Sequence, residues 1–448
     1  MGYIGQGPGL GQELAFRFVG VAGQGVIAGP DAHGLPLVYT PGAVDVYRNG
    51  RRLTIPEDVV AVDGSQIVPR GWAIQAGDEI IVVVKAPFSP ANTYTRAEAD
   101  AAFHQRRNRV VDPGCRVSQE NGTVARAVAT AGAFVYASDG VAVQALGGAA
   151  NCVSAQRVAS VTPGGSGTRV RLTVTKALAA PAAGDLLRIC LPVEGIEVAD
   201  LRWGAAGARM ALIRFGFRAP AAGTFPIAIT NRAGGATRSW LGAGAAGGLV
   251  TIQPGEVGTD VVRWALVPGD AVGAWAADIA LGLVISLTLC AGATWQGQPG
   301  WQDGEFYGLA GGANLLASVG QTLDVFDLGL HDVSDISNPA PPRFALKAFS
   351  DDLRDAQRYY RKIVLGALVD NGGQSGYGCR FNFSLSPSMR INPNGSFASA
   401  GSGDSNVATV GIGYTTPHSF TVNATYGGSA GQLVIGDGST VTLNARML

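Results

Sequence analysis

The sequence predicts a mainly β protein with a small N-terminal β domain, a short linker helix, a β-sandwich of jelly-roll type and a C-terminal helix followed by short strands. Three observations predict this fold class. Short runs of alternating apolar and polar residues recur along the chain, turn residues separate them, and only two segments have a helical pattern. Glycine and proline contribute 65 and 23 of the 448 residues, and 47% of the residues are hydrophobic, so we expect a globular chain rich in turns.

Residues 1–90 are predicted to form the N-terminal β domain. Leu14–Val21 and Ala43–Tyr47 alternate between apolar and polar positions, and Asn49-Gly50 separates the second run from a return strand that begins at Arg52. An Asn-Gly pair between two such runs predicts a β-hairpin with a type I′ turn, because both central residues of that turn need a positive φ.

Residues 91–112 are predicted to form a linker that contains a short helix. Thr95 and Glu98 have the spacing of a capping box, which favours a helix from Ala97 to Arg107. Its apolar face consists of alanines and Phe103 and is thin, so this helix needs neighbours for stability.

The larger part of the chain, residues 113–350, is predicted to form one two-sheet sandwich. Its short strands are separated by Gly, Pro and Asn/Asp turns with almost no helical signal. Residues 351–448 form the last region, where Ser350 is predicted to cap a helix that runs to about Leu365. Two acidic residues in its first turn complement the helix dipole, and short strands resume at Cys379.

Charge and hydropathy exclude several classes of protein. The 33 basic and 33 acidic residues give a formal net charge of zero, which argues against a nucleic-acid partner. No apolar run approaches the roughly 18 residues of a membrane span, and the first seven residues do not have the pattern of a secretion signal. The five isolated cysteines indicate buried thiols in a protein made in a reducing cytoplasm.

No catalytic residue, metal ligand or cofactor is predicted. The four histidines are not at chelating distances along the sequence, and the Walker A, HExxH and GxSxG patterns are missing. Two acidic pairs, Glu194/Glu197 and Asp303/Glu305, leave glycosidase activity as an alternative, because the distance between paired carboxylates depends on the tertiary structure. The alternative is that all four are carboxylates of turns and sheet edges.

One cluster of side chains favours carbohydrate binding. Aromatic rings stack on the apolar faces of sugars, while amides and carboxylates bind sugar hydroxyls. Both kinds of side chain are interleaved in one short segment, Trp295, Gln296, Gln298, Trp301, Gln302, Asp303, Glu305, Phe306 and Tyr307. We predict binding by Trp295, Trp301, Asp303 and Tyr307, with Arg238 and Trp240 as a second edge. The alternative is that the rings of residues 295–307 cap the sandwich core and that Trp240 lies within it. Trp203, Trp264 and Trp275 are predicted to lie in the core.

Several segments, in the same order along the chain, resemble bacteriophage tail-fibre proteins. They are Gly2–Gly5, Val44–Leu53, Gly77–Val84, Tyr94–Asp100, Leu187–Trp203, Phe215–Phe225, Asn314–Gly320 and Asp352–Arg361. In that family a cysteine is usual where this chain has Ala356. The resemblance implies that residues 1–90 are a particle-attachment module, with Tyr3, Ile4, Phe16 and Phe18 among the attachment residues. It also implies that the distal domain is similar to carbohydrate-binding modules.

The resemblance implies a non-enzymatic, trimeric fibre or spike on a phage or on a phage-like gene-transfer particle, made in the bacterial cytoplasm. Its partners would be capsid or tail proteins, through residues 1–90, and a host surface glycan such as capsular polysaccharide. Two alternatives stay open. One is a structural connector that binds only other particle proteins. The other is a capsule depolymerase, although such enzymes are usually long parallel β-helices and no repeated rung is present in this sequence.

Overall fold

The computed structural model describes residues 13–85, 107–232, 234–242, 249–334, 342–373, 375–399, 404, 406–428 and 431–448. The chain divides into two compact units, Met1–Ala99 and Asp100–Leu448. Residues 86–106 are outside the described ranges, so the helix expected over Ala97–Arg107 stays a prediction. Among the described residues, no helix is long and apolar enough to cross a membrane.

The described part of the N-terminal unit consists of antiparallel strands. They are β1 (Glu13–Val19), β2 (Ile27–Ala28), β3 (Val44–Arg48), β4 (Arg51–Leu53), β5 (Val59–Val60), β6 (Gln66–Pro69) and β7 (Glu79–Lys85). One sheet has the order β1-β7-β3-β4 and the other β2-β6-β5. Alternate residues such as Phe16, Val46, Ile67 and Ile80 are buried between them, as the period of a strand requires.

The hairpin predicted around Asn49-Gly50 is confirmed. Strands β3 and β4 pair across these two residues, and Asn49 and Gly50 have φ values of 47° and 80°. The Asn49 side chain also holds the turn against the next strand, since it donates to Asp78 at 2.8 Å and accepts from the Glu79 amide at 2.8 Å. The sequence signal and the tertiary contacts therefore favour the same turn.

The second unit begins with a two-sheet sandwich. Its strands are β8 (Arg126–Ala127), β9 (Phe134–Ser138), β10 (Val141–Leu146), β11 (Val153–Ala159), β12 (Thr168–Val174), β13 (Leu186–Glu194), β14 (Ala211–Arg218), β15 (Gly223–Thr230), β16 (Arg238–Leu241), β17 (Leu249–Ile252), β18 (Val261–Val267), β19 (Leu281–Ala291), β20 (Gly300–Asp303) and β21 (Thr322–Asp332). Short helical turns connect some of them, at Gly147–Ala149, Gly195–Val198, Ala199–Leu201, Pro254–Glu256, Ala293–Trp295 and Leu315–Ala317.

These strands form an antiparallel sandwich of jelly-roll type, which confirms the predicted fold class. The eight-stranded sheet has the order β20-β16-β15-β19-β13-β10-β9, with β17 paired to β15, and the six-stranded sheet has the order β18-β14-β21-β12-β11-β8. Side chains from both sheets, among them Leu187, Ile189, Phe215 and Val325, fill the core between them.

The eight-stranded sheet is covered on its outer face as well. All nine residues of β13 are buried. The outward-pointing Arg188 lies beneath the ring of Tyr307, 3.8 Å from its centroid, and donates to Gln144 at 2.6 and 2.9 Å. The side chains that follow β19 therefore pack onto the back of the sheet, which explains why β13 is apolar on both faces apart from Arg188 and Glu194.

The C-terminal region contains one helix and eight strands among the described residues. The helix is Phe349–Gln357, and the strands are β22 (Tyr360–Val364), β23 (Leu368–Gly373), β24 (Gly378–Ser384), β25 (Asn394–Ala398), β26 (Val407–Thr415), β27 (Ser419–Tyr426), β28 (Gly431–Ile435) and β29 (Thr440–Asn444). They form three small sheets, β22-β29-β25, β23-β28 and β24-β27-β26. The core between these sheets includes Phe420, Val422, Leu433 and Val441.

The helix is shorter than the sequence predicts. It begins at Phe349, after Ala348 and not after a Ser350 cap, and ends at Gln357. Residues Tyr360–Val364 instead form β22, which pairs along its whole length with Thr440–Asn444. The apolar residues of this stretch fit a strand as well as a helix, and pairing with a strand far along the chain decides between them.

Candidate functional site

Four of the predicted binding residues lie at an edge of the eight-stranded sheet, two on the edge strand and two on its neighbour. Strand β20 is the last strand of this sheet and pairs only with β16, which places Trp301 opposite Trp240 and Asp303 opposite Arg238. Because side chains alternate along a strand, these four lie on the same face of the sheet. Trp240 is the inner member and is buried in the sandwich core, so its ring is not available to a ligand.

Trp301 belongs to a cluster of three indole rings. Its centroid lies 5.4 Å from that of Trp203 and 5.5 Å from that of Trp275, and the latter two are 5.0 Å apart. All three pairs meet edge to face, the arrangement that aromatic quadrupoles favour. Trp203 is buried, whereas Trp275 and Trp301 are only half-buried. Two indole rings are thus held in fixed orientations at the protein surface.

The indole N–H groups of this cluster are all used within the protein. Trp203 donates to the Arg209 carbonyl at 2.7 Å, and Trp301 donates to the Pro268 carbonyl at 2.9 Å. Trp275 donates to Asp270 Oδ2 at 3.0 Å. A ligand that reaches Trp275 or Trp301 therefore meets the surface of a ring and not a hydrogen-bond donor.

Arg238 adds charged groups beside the rings. It donates to both carboxylate oxygens of buried Asp270, at 3.0 and 2.8 Å, and to Asp303 Oδ1 at 3.0 Å. These hydrogen bonds, first of all those to Asp270, raise the pKa of Arg238, so the guanidinium stays charged. Its guanidinium carbon lies 5.7 Å from the Trp301 ring centroid. The Asp303 side chain is 87% exposed and is available to accept hydrogen bonds from a ligand.

We call the surface formed by Arg238, Trp275, Trp301 and Asp303 the tryptophan edge. It combines flat apolar rings with a carboxylate and a guanidinium of fixed position. The sequence prediction missed Trp275, which was assigned to the core. Its position in a turn-rich segment containing Gly269, Asp270 and Gly273, and not in an alternating run, was a signal that could have placed it at the surface.

The structure separates the other predicted aromatic residues from this edge. Tyr307 is fully buried and donates to Glu305 at 2.6 Å. Trp295 packs against Tyr307 at 5.8 Å between centroids and donates to the Gly184 carbonyl at 2.9 Å. Both belong to an apolar cluster with Leu241, on the opposite face of the sheet from Trp240 and Trp301. Residues 295–307 are therefore split between two faces, and this corrects the single platform expected from the sequence.

The predicted attachment residues fall in two places. Phe16 and Phe18 point into the core of the N-terminal unit, where they are 2% and 7% exposed, so they hold this unit together and do not present a docking surface. Tyr3 and Ile4 lie outside the described residues, and the prediction for them stays a prediction.

The candidate catalytic carboxylates all have partners inside the protein. Glu194 accepts hydrogen bonds from Arg358 and Tyr359, and Glu197 pairs with Arg107 at 2.6 Å. Glu305 accepts from Tyr307 and from the Gly235 amide at 2.9 Å. Burial, followed by the charge of Glu194, raises the pKa of Tyr359. Within the described ranges, no group of three or more His, Cys, Asp or Glu side chains has the geometry of a metal site.

Known proteins resemble this chain only weakly. No family model matches the chain, and no curated protein matches it in sequence. Solved structures that are similar in fold include the enzymatically active domain of bacteriophage CBA120 tailspike protein 4, with 10% identity and a TM-score of 0.24 over 46% of this chain. The chain covers 21% of that tailspike's length.

Two carbohydrate-binding modules are similar at the same level. The CBM22-1 xylan-binding domain of Paenibacillus barcinonensis Xyn10C is 9% identical, with a TM-score of 0.22 over 48% of this chain and 97% of its own. TmCBM61, solved with β-1,4-galactotriose, is 11% identical, with a TM-score of 0.22 over 50% of this chain and 99% of its own. At TM-scores this low the likenesses carry no argument about function. The chain is a mainly β protein with a jelly-roll-type sandwich, and its function is argued from its own residues.

Proposed function

We propose that this protein is a non-enzymatic fibre or spike of a phage or phage-like particle that binds a host surface polysaccharide through the tryptophan edge. The observation that supports this most directly is the pair of half-buried indole rings, Trp275 and Trp301, beside the exposed carboxylate of Asp303. Rings of this kind stack on the C–H faces of sugars, and the carboxylate accepts hydrogen bonds from their hydroxyls.

The tryptophan edge offers two half-buried rings and one exposed carboxylate, so binding of one sugar segment is expected to be weak. A repeating polysaccharide offers the same segment many times, and a homotrimer would present three edges to it. Linked sites gain avidity without any new contact, because later binding events become intramolecular. The proposal therefore requires weak binding of short oligosaccharides and much tighter binding of the intact polymer.

The N-terminal unit is proposed to dock on a capsid or tail protein. In support, it forms a separate compact unit and leaves several apolar side chains at its surface. Leu14, Val19, Val21, Val38 and Val62 are between 48% and 67% exposed. We assign these side chains to the surface that the partner covers.

The proposal is tested with the full-length chain and capsular polysaccharide purified from the host bacterium. Binding is measured by sedimentation of the complex, and the polymer is sized in the same samples. Binding with unchanged polymer length is the expected result, and Asp303→Asn should weaken it because an amide is a weaker hydrogen-bond acceptor than a carboxylate. Shortened polymer would make the protein a depolymerase. If the polymer is neither bound nor shortened, a structural connector is the interpretation that remains.

A further inference from the structure

A cavity lies where the C-terminal region meets the sandwich, and its lining includes no residue of the tryptophan edge. It has a volume of about 510 Å³, within the roughly 300–1,000 Å³ of small-molecule sites. One wall comes from the sandwich and includes Asn121, Arg126 and Phe134. The other comes from β22, β29 and the chain end and includes Lys362 and Asn444.

The C-terminal wall is built by strand pairing. Tyr360 lies opposite Asn444 and Lys362 opposite Thr442 in the antiparallel pair β22–β29. Because residues two apart share a face, these four side chains line the cavity together. They offer an amide and a hydroxyl that both donate and accept hydrogen bonds, which suits the vicinal hydroxyls of a sugar.

A buried arginine fixes the two walls relative to each other. The Arg446 guanidinium lies between the rings of Tyr136 and Tyr360, 3.9 Å from each centroid. It pairs with Glu120 and with Asp139, the latter at 3.5 Å, and its side chain is only 5% exposed. Its Nε donor is buried and has no hydrogen-bond partner among the described residues.

Three basic side chains and one acidic side chain line the cavity, those of Arg126, Lys362, Arg446 and Glu120. Because Arg446 is paired with Glu120 and Asp139, Arg126 and Lys362 are the positive charges that face a ligand. Arg126 donates to Asn121 at 2.9 Å, and neither it nor Lys362 forms an ion pair within the part of the chain that the structure describes. Both are exposed, so two cations without a protein counter-ion stand at the mouth of the cavity. The half-buried ring of Phe134 supplies an apolar wall beside them.

We propose that this cavity binds a carboxylated sugar, such as a uronic acid unit. Arg126 and Lys362 bind the carboxylate, Asn121 and Asn444 bind hydroxyls, and Phe134 packs against the C–H face of the ring. The site is separate from the tryptophan edge and does not depend on it. The sugar could come from a surface polymer or be free in solution, and both sources share this chemistry.

The test measures binding of a uronic acid oligosaccharide to the full-length chain by titration calorimetry. The matched probe is the same oligosaccharide with its carboxyl groups reduced to alcohols. The charged probe should bind more tightly, and Lys362→Met should raise its Kd by roughly tenfold, the effect of one lost charge-assisted hydrogen bond. Lys176→Met is the control, because Lys176 is also exposed but lies outside the cavity. Equal binding of both probes, or equal Kd values for the two lysine variants, would overturn the proposal.

Two further arms separate the sources and the sites. Inorganic phosphate that competes as well as the oligosaccharide would reduce the site to a general anion site and overturn the assignment to a sugar. A monosaccharide that binds as tightly as the oligomer would identify the free sugar as the ligand. Trp301→Ala should leave binding of the uronic acid probe unchanged, so a failure of the tryptophan edge and a failure of this cavity give different results.

Discussion

Arg358 forms one of the polar links between the C-terminal region and the sandwich. It donates to both oxygens of Glu194, at 3.0 and 2.8 Å, and the Tyr359 hydroxyl donates to the same carboxylate at 2.8 Å. Glu194 lies at the end of β13 and its side chain is 1% exposed. The substitution Arg358→Met keeps much of the side-chain volume and removes the charge, which leaves Glu194 with Tyr359 alone.

The cost follows from this geometry. Removing one partner of a fully buried ion pair costs about 3–5 kcal/mol. Arg358 itself is 35% exposed, so water can reach part of the space that it leaves, and Tyr359 keeps one hydrogen bond to the charge. We therefore expect Arg358→Met to lower the free energy of unfolding by about 2 kcal/mol.

The measurement is urea unfolding followed by circular dichroism, with Arg354→Met as the control. Arg354 lies in the helix that ends just before Arg358, but it pairs with Asp351 at the surface, at 3.4 Å. Such a pair contributes about 0–1 kcal/mol. A double-mutant cycle with Glu194→Gln should give a coupling energy of about 1 kcal/mol or more between the two residues. If the two arginine variants unfold at the same urea concentration, Arg358 contributes no more to stability than an arginine in a surface ion pair, contrary to this prediction.

Three smaller predictions concern local structure. Gly50→Ala should lower the free energy of unfolding of the N-terminal unit by about 1 kcal/mol, because φ is 80° there, while Gly25→Ala should have almost no effect; chemical denaturation measures both. The pKa of Asp78 is about 2, chiefly because Arg48 donates to its carboxylate. Its contribution to stability is thus complete above the unfolded pKa of about 3.9 and lost as the pH falls through about 2, and hydrogen exchange of residues 13–85 should show this loss in the wild type and not in Asp78→Asn. Cys379 is half-buried and the other four cysteines are buried, so a thiol reagent should label Cys379 first in the native protein and all five after unfolding.

Local signals in the sequence were sufficient where the chain is organised locally. The type I′ turn at Asn49-Gly50 follows from the φ values that only such residues adopt easily, and the alternation of Leu14–Val21 correctly predicted β1. The length of the helix Phe349–Gln357 could not be predicted from local sequence. The stretch Tyr360–Val364 has a pattern that fits either period, and only its pairing with Thr440–Asn444 makes it a strand.

The site depended on tertiary structure even more. Trp295 and Trp301 are six positions apart, yet they lie on opposite faces of one sheet. Trp295 ends a helical turn that packs against the outer face, whereas Trp301 lies within β20 and packs against the sandwich core. Trp275 joins Trp301 from a turn that is distant in sequence. Composition could indicate a surface of aromatic and acidic residues, but the pairing of β16 with β20 determines which of them share a face.

Binding of polysaccharide by the tryptophan edge can be measured by comparing Trp301→Ala with Trp264→Ala in equilibrium binding of the full-length chain to capsular polysaccharide. Trp264 is 40% exposed on the outer face of the other sheet, so it controls for the loss of a surface indole ring. We predict that Trp301→Ala raises the Kd at least about tenfold, as the loss of a central aromatic contact does, and that Trp264→Ala leaves it unchanged. Equal affinity of both variants and the wild type would show that Trp301 does not take part in binding the polysaccharide.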